Sequence, residues 1–455
     1  MRIPRVIISA TSSDSGKTLI AAAIIKIMRK RGFKVQPFKI GPDYIDPMYL
    51  SKVSGRHCRN LDSWMMDENT LRRVFLSGCK GTDFAVIEGV RGLYEGESPI
   101  GDLGSTAHVA KILSAPVILV LDCKSLNRSA AAQIIGFQAL DRKVNIAGVI
   151  LNYVRDSLHE EKLRRAIQHY TKVPILGVLY RSSTLVIKKR HLGLITPNEL
   201  SDTDLMINNA TNLLEPRLDL ERLLELMNSC PEIDGDVMEI PQSVGRTKIG
   251  IFMDAPFSFY YYDNLAVLRG MGAEISVMNS LSDGTIGNDI SGILIGGGYP
   301  EVFARELEAN QPLIKSIKDR ILDEMPVVGE CGGLIYLCRS INYNGEKRNM
   351  VGAFDGDVYF SNQPKALSYV ELEGKAESPI SDVGITLKGH EFHHSYVENI
   401  GSEFVFKVLR GNGIRDGLDG ALVHRTVGMY THLHYMTCPK VPAKFLSTCR
   451  EYIRR

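Results

Sequence analysis

RVIISATSSDSGKTLIAAAIIKIMRK, residues 5–30, decides the fold. Arg5–Ala10 is apolar almost throughout, as in a strand covered on both faces. A turn of small residues follows, and then a helical run, Thr18–Arg31. That order is the layout of a phosphate loop. Backbone N–H groups of a tight turn converge on phosphate oxygens, and the positive end of the next helix adds attraction. Thr11, Ser12, Ser13, Asp14, Ser15, Gly16, Lys17 and Thr18 are therefore the expected nucleotide-binding residues. Lys17 would reach the β- and γ-phosphates, and the Thr18 hydroxyl would bind Mg²⁺. Only Gly16-Lys17-Thr18 fits the strict G-x-x-x-x-G-K-[ST] pattern, because Thr11 stands at the first glycine position. The bland alternative is an ordinary strand–helix turn.

Outward from this stretch, candidate strands recur at Val35–Ile40, Phe84–Glu88, Val117–Asp122, Ile146–Leu151 and Pro174–Leu179. Helical stretches such as Ala107–Leu113 and Ser129–Leu140 separate them. The alternation predicts an α/β fold with a parallel sheet. A charge-mixed helical stretch, Leu218–Asn228, leads into CPEIDGDVMEIPQSVGR, which mixes Pro, Gly and acids without periodicity and reads as a linker. The pattern restarts with KIGIFM at Lys248. Strands follow at Ile275–Met278, Gly292–Ile295 and Val327–Gly329, with helices at Asn264–Met271 and Gln311–Asp323 and a more β-rich final third. The expected division is 1–228, a linker at 229–247, and a second α/β domain at 248–455.

Composition narrows the function classes. The 455 residues suffice for two or three domains. Lys plus Arg is 54 and Asp plus Glu is 52, and a net charge of +2 makes no case for broad nucleic-acid binding. No C-x-x-C pair occurs among the eight cysteines, which read as buried thiols of a reducing compartment. No apolar run approaches the ~18 residues of a membrane span. No signal-like segment precedes the first strand, so a cytoplasmic protein is expected.

Two further clusters flank the phosphate loop in sequence. FKIGPDYIDP, Phe38 to Pro47, places Asp43 and Asp46 around Tyr44 after the second strand, as metal- or substrate-side residues or as turn caps. In IEGVRGLYEG, Ile87 to Gly96, Glu88 ends an apolar strand where α/β sites form, placed for a Mg²⁺ role.

The second domain carries another chemistry. PVVGECGGLIYL, Pro326 to Leu337, runs a strand into Cys331, two glycines and a helix-like stretch. A strand–nucleophile–helix turn projects its side chain into a cleft. The helix dipole there is expected to favour the thiolate. The amides of Gly332 and of Gly296-Gly297-Gly298 are candidate oxyanion donors. Cys331 needs a base. In YTHLH, His432 and His434 lie two apart, so on a strand both would face the same way and either would serve. His390, His393 and His394 of GHEFHHS find no partner at metal-ligand spacing.

These words, in this order, resemble the glutamine-dependent cobyrinate a,c-diamide synthases, a family that includes archaeal enzymes amidating nickel-sirohydrochlorin. NLDSWM (60–65), GSTAHVAKIL (104–113), GVILN (148–152), RHLGL (190–194), GGGYPE (296–301), ECGGLIYL (330–337) and GHEFHHS (389–395) extend the resemblance along nearly the whole chain. It implies a P-loop domain similar to dethiobiotin synthetase, then a class I-like glutamine amidotransferase domain. It implies ATP and Mg²⁺ as cofactors, with Thr18, Asp46 and Glu88 on the metal, Asp43, Tyr44 and Asp46 toward substrate, and Asn152 reading adenine. It favours His432 as the base, and the usual H-P-E glutamate is absent, which leaves the orienting acid unidentified. Glutamine and a tetrapyrrole bearing a and c acetates are the implied substrates, with a homodimer among the assemblies left open.

The chain departs from the family's pattern at Ala10 and Asp14, where glycine is common, and at Leu50, where histidine is common. EGVRGLYEG resembles archaeal members, which points toward the nickel-sirohydrochlorin reaction. Trp64 and Tyr260–Tyr262 are aromatic candidates for a macrocycle wall or for ordinary packing. Two rivals are a cobyrate synthase-like amidotransferase and, in another class, a partitioning-type ATPase switch, which would need no Cys331 elbow. The expected chemistry has two halves. The first domain makes a carboxylate attackable as an acyl phosphate. The second releases ammonia from glutamine, and ammonia is expected to pass directly between them.

Overall fold

The computed structural model describes residues 1–185, 189–190, 193–194, 196–197, 202–237 and 245–454. His191 and Leu192 of the RHLGL word and residues 238–244 of the expected linker lie outside the described residues. The chain forms two compact units, Met1–Met238 and Glu239–Arg455.

In the first unit, strands and helices alternate: β1 (Arg5–Ala10), α1 (Lys17–Lys30), β2 (Val35–Ile40), α2 (Ile45–Ser54), β3 (Arg59–Leu61), α3 (Glu68–Gly78), β4 (Phe84–Glu88), α4 (Thr106–Ile112), β5 (Val117–Asp122), α5 (Ser129–Leu140), β6 (Ile146–Val154), α6 (Ser157–Tyr170) and β7 (Ile175–Tyr180). The seven strands form one parallel sheet in the order β3-β2-β4-β1-β5-β6-β7. Every residue of β1, β2 and β4 is buried, as near-continuous apolar strands under helices on both faces require. The predicted strands recur here within a few residues. Sequence reading missed β3, whose three residues are too few to show a period.

Small β8 (Lys189–Arg190) and β9 (Gly193–Leu194) precede α7 (Thr203–Leu214) and α8 (Leu220–Asn228). The expected linker does not begin at 229. Cys230 and Ile233 are buried. The main chains of Ile233 and Met1 pair at 2.9 and 3.0 Å. Arg5, fully buried, donates to the carbonyls of Ile3, Leu113 and Pro231 at 2.8, 2.6 and 3.0 Å. A buried guanidinium must satisfy its donors, so Arg5 draws this segment onto the first unit.

The second unit opens with β10 (Thr247–Phe252), β11 (Phe257–Phe259), α9 (Tyr262–Gly270), β12 (Ala273–Met278), β13 (Ile293–Ile295), β14 (Gly297–Gly298), α10 (Ala304–Ala309), α11 (Gln311–Leu322), β15 (Val327–Glu330) and α12 (Gly332–Leu337). A run of strands follows: β16 (Cys338–Tyr343), β17 (Glu346–Asn349), β18 (Phe354–Phe360), β19 (Ala366–Gly374), β20 (Thr386–His393), β21 (Ser395–Glu398), β22 (Glu403–Arg410), β23 (Leu418–Val423), β24 (Thr426–Met429) and β25 (His432–Leu433). Helix α13 (Lys440–Ile453) closes the unit. Ten strands make one sheet, β12-β10-β13-β15-β24-β23-β22-β19-β20-β25. It is parallel from β12 to β24 and antiparallel beyond. The C-terminal ends of β13 and β15 carry the GGGYPE and ECGG words side by side.

Candidate functional site

The phosphate loop is bent as its residues dictate. Gly16 has φ +88° and Asp14 φ +62°. A β-carbon on Gly16 would lie 2.3 Å from Asn152 Nδ2, so only glycine fits there. Asp14 is tolerated because aspartate enters the left-handed region more readily than most residues. That accounts for a glycine-like position held by Asp14, whose side chain is exposed. Ser15 Oγ donates to Ser12 O at 3.0 Å, and Lys17 Nζ reaches the same carbonyl at 3.4 Å. Thr11 and Ser13 complete the turn between β1 and α1. Ala10 and Leu50, the other two departures, are fully buried.

Asn152, expected to read adenine, is also tied to the loop. Its Nδ2 donates to Ser15 O at 2.8 Å, and its Oδ1 accepts from Tyr153 N at 2.9 Å. Both ends of the carboxamide are engaged locally, so the side chain braces the loop from below.

Beside the loop lies a knot of buried charge. Strand β4 runs parallel to β1 with Ile8 level with Glu88, which sets that carboxylate at the sheet edge next to the loop. Thr18 Oγ1 donates to Glu88 Oε1 at 2.7 Å. Lys39, from β2, donates to the same oxygen at 2.9 Å, to Asp46 Oδ2 at 2.5 Å and to Gly89 O at 3.2 Å. Asp43 Oδ2 lies 3.8 Å from the ammonium. Burial works against the charge of Lys39, but Asp46, Glu88 and Asp43 outweigh it and hold the group firmly protonated.

Its neighbours respond in turn. Burial pushes Glu88 up to about 8, with Asp46 adding to the rise. Asp43 is also raised, by burial and then by Asp46. Burial opposes ionisation of Asp46 as well, but Lys39 brings its pKa down. Lys17 is lowered to about 8 by burial and by the charge of Lys39.

The pair Asp43 and Asp46 divides its work. Asp43 Oδ1 accepts from the amides of Ile45 and Asp46 at 2.9 and 3.0 Å, which is the turn-capping role, while Asp46 faces Lys39. Tyr44 sits between them at the start of α2, half-buried. Sequence reading missed Lys39. The available signal was a lone lysine in the otherwise apolar strand leading into GPDYIDP.

Glu88 Oε2 is buried and accepts no hydrogen bond from the described residues. Among those residues no three His, Cys, Asp or Glu side chains stand together as a metal cage. A nucleotide-borne Mg²⁺ takes one or two carboxylates and fills its remaining sites with phosphate oxygens and water. The free oxygen of Glu88 and the adjacent Thr18 hydroxyl fit that demand.

The second unit builds a nucleophile elbow. Cys331 has φ +49° and ψ −96°, a conformation rare for any side chain-bearing residue. The glycines after it permit the turn. A β-carbon on Gly333 would lie 2.1 Å from Ile295 O, and one on Gly332 would lie 2.9 Å from Gly298 N. The Cys331 amide donates to Met429 O at 2.7 Å, tying the elbow to β24.

Two expectations for this site fail. The thiolate is not favoured: burial pushes the Cys331 thiol up to about 12, with Glu301 adding to the rise. A six-residue helix offers too little dipole to offset desolvation. Gly296 is not available as an oxyanion donor, because its amide donates to Tyr260 Oη at 2.7 Å.

The two late histidines separate. Strand β25 ends at Leu433, so the two-residue period does not carry on to His434. The His432 ring lies over Gly297, where a β-carbon would meet Cε1 at 2.7 Å and Nε2 at 3.3 Å. Its Nδ1 faces Glu330 Oε2 at 3.3 Å. His434 Nε2 instead pairs with Asp263 Oδ2 at 3.8 Å, and its ring packs against Tyr261 with centroids 4.7 Å apart. His432 thus lies against Gly297 and Glu330, the neighbours of the elbow, while His434 faces Asp263 and Tyr261.

Other words of the sequence serve this arrangement. A β-carbon on Gly389 would lie 2.4 Å from His432 O, so the glycine of GHEFHHS lets β20 close on β25. The His390 ring stacks on His432, centroids 5.0 Å apart. Its pKa is held well below the usual range by burial, then by His432 and His434. Asp419 accepts from the amides of Tyr430 and Thr431 and from Thr431 Oγ1, at 3.1, 3.1 and 2.6 Å, which fixes the turn into His432. Sequence reading missed Glu330 and Asp419. The aromatic candidates are engaged in packing: Trp64 and Tyr261 are buried, and Tyr260 Oη is bonded to Gly296 N.

Comparison with known proteins finds two family models in the chain. Residues 6–193 match the CobQ/CobB/MinD/ParA nucleotide binding domain. Residues 248–438 match the CobB/CobQ-like glutamine amidotransferase domain. A cobyrinate a,c-diamide synthase from Methanothermobacter thermautotrophicus is 42% identical over 98% of this chain and 100% of its own. Enzymes of the same name from Methanosarcina acetivorans and Leptospira interrogans are 41% and 38% identical, over 95% and 99% of this chain and 92% and 99% of theirs.

Proposed function

The chain belongs to the cobyrinate a,c-diamide synthase family, and on that premise we propose that it converts the a and c acetates of a tetrapyrrole to amides, using glutamine and ATP. The observation that supports the reading is that one chain carries two different arrangements of chemistry-bearing residues. One is a phosphate loop with a buried carboxylate beside it. The other is a strained cysteine elbow with an imidazole over the nearby Gly297.

In the second unit, Cys331 Sγ attacks the side-chain amide carbon of glutamine. His432 takes the thiol proton and delivers it to the departing nitrogen, so ammonia leaves and a thioester remains. Water then adds to the thioester and glutamate is released. Since the resting thiol is protonated, proton transfer to His432 accompanies attack. The Gly332 amide, which points at the Cys331 sulfur, is the oxyanion donor nearest the reacting carbon.

When bound, ATP·Mg²⁺ supplies the phosphoryl group that turns an unreactive carboxylate into an acyl phosphate. Lys17 and the loop amides neutralise the phosphates. Thr18, Glu88 and Asp46 are the residues that would hold the metal. Lys39 bridges Glu88 and Asp46 and adds positive charge beside the transferred group. Ammonia then attacks the activated carbonyl, phosphate leaves with the bonding pair, and the amide forms.

Cobyrinate is the substrate in the names of the relatives. Nickel-sirohydrochlorin is the alternative macrocycle, favoured by Arg91 and Glu95 in EGVRGLYEG. The test offers purified protein glutamine, ATP and Mg²⁺ with each macrocycle in turn, and locates the new amides by mass spectrometry. Amides confined to the a and c positions support the proposal. Absence of product with both macrocycles, or amides elsewhere, ends it.

A further inference from the structure

We propose that Glu330, the residue immediately before the nucleophile, is the acid that orients His432, standing in for the missing H-P-E glutamate. The inference rests on the amidotransferase reading above. Its basis is the way the ring nitrogens of His432 are divided between two surroundings. Nδ1 faces Glu330 Oε2 at 3.3 Å, and both side chains are largely enclosed, 3% and 14% exposed. The Cε1–Nε2 edge of the ring lies over Gly297, Cε1 nearest, and Gly297 in turn abuts Gly332 at the elbow.

Backbone pairing fixes the geometry. Glu330 is level with Met429 in the parallel β15–β24 pair, and the next amide, Cys331 N, donates to Met429 O. Met429 is three residues before His432, whose own strand β25 is held by pairing with His390 of β20. His390, stacked on the imidazole, keeps it from swinging away. A carboxylate at Nδ1 would hold the proton there and make Nε2 the basic nitrogen of the ring. It also stabilises the imidazolium that forms as the thiol gives up its proton. Glu330 is thus a positioning residue that acts through His432.

The experiment measures steady-state glutaminase of the full chain for wild type, Cys331→Ala, Glu330→Gln and Glu330→Asp. Glu330→Gln keeps the shape and removes the charge. Its kcat is expected to fall by about 10²–10⁴-fold with little change in KM for glutamine. Glu330→Asp restores the charge on a shorter arm and is expected to recover part of that loss. A Glu330→Gln enzyme with kcat within about threefold of wild type overturns the inference while leaving the amidotransferase reading intact, as does Glu330→Asp no better than Glu330→Gln. Should Glu330→Gln fail to fold, Glu330→Asp decides alone: a lowered kcat at constant KM supports the role, and an unchanged kcat removes it. Glutaminase that survives in Cys331→Ala overturns the reading beneath.

Discussion

Gly297 touches the edge of the His432 ring so closely that a single methyl group at Gly297 would stand 2.7 Å from Cε1. The ring cannot retreat freely, because His390 is stacked on it and Glu330 faces Nδ1. Gly297→Ala is therefore expected to displace the imidazole and cost about 10²-fold or more in glutaminase kcat. ATP binding should be unchanged, since the phosphate loop belongs to the other compact unit. Kinetics and a nucleotide-binding titration on the same preparation check both halves.

Lys39 holds Asp46 and Glu88 together from a position only 3% exposed. Removing one partner of a buried ionic cluster leaves uncompensated charge and typically costs about 3–5 kcal/mol. Lys39→Met should lower the stability of the first unit by about that amount. The single tryptophan, Trp64, is buried in that unit, so its fluorescence during urea unfolding reports the change selectively. A transition midpoint equal to wild type would contradict the account.

Lys17 is the cation expected at the β- and γ-phosphates. Lys17→Ala should abolish ATP-dependent amidation and leave glutaminase measurable. The wild-type site also carries a pH signature. Lys17 is charged below about 8 and loses its proton above it. Glu88, also near 8, gains negative charge over the same range. Affinity for free ATP should thus fall as the pH rises from about 7 to about 9, with added Mg²⁺ restoring part of it. Calorimetric titration across that range gives the answer, and a flat profile would count against the geometry.

The Cys331 thiol is pushed up to about 12 in the resting site. Alkylation by iodoacetamide should be slow near neutral pH and climb without a plateau through the alkaline range. The Cys331→Ser protein provides the background from the other seven cysteines, all buried. A plateau below about pH 8 would mean that the thiolate is already present before glutamine arrives.

Much of the fold was legible because its elements are long and regular. Arg5–Ala10, Val35–Ile40, Phe84–Glu88 and Val117–Asp122 occur at the bounds their apolar runs predict. Strand β3 was illegible at three residues, and the docked segment around Cys230 and Ile233 was read as linker because its partners lie over 200 residues away. At the sites, Lys17, Thr18, Glu88 and Cys331 were visible because glycine-flanked words at strand ends announce them. Lys39, Glu330 and Asp419 were not. Each sits in or beside a strand, and its importance comes only from what another strand brings next to it.

The candidate reacting groups are legible along the chain itself: a phosphate loop after the first strand, and a cysteine between a strand and two glycines. Which late histidine lies beside Glu330, and which cation pairs with Glu88, only the folded chain shows. The reason is physical. A turn that cradles phosphate is built from neighbours in sequence, whereas the contacts of His432 and Lys39 arise from the register of strands far apart in the chain, and a two-residue strand such as His432–Leu433 leaves no periodicity from which to foresee them.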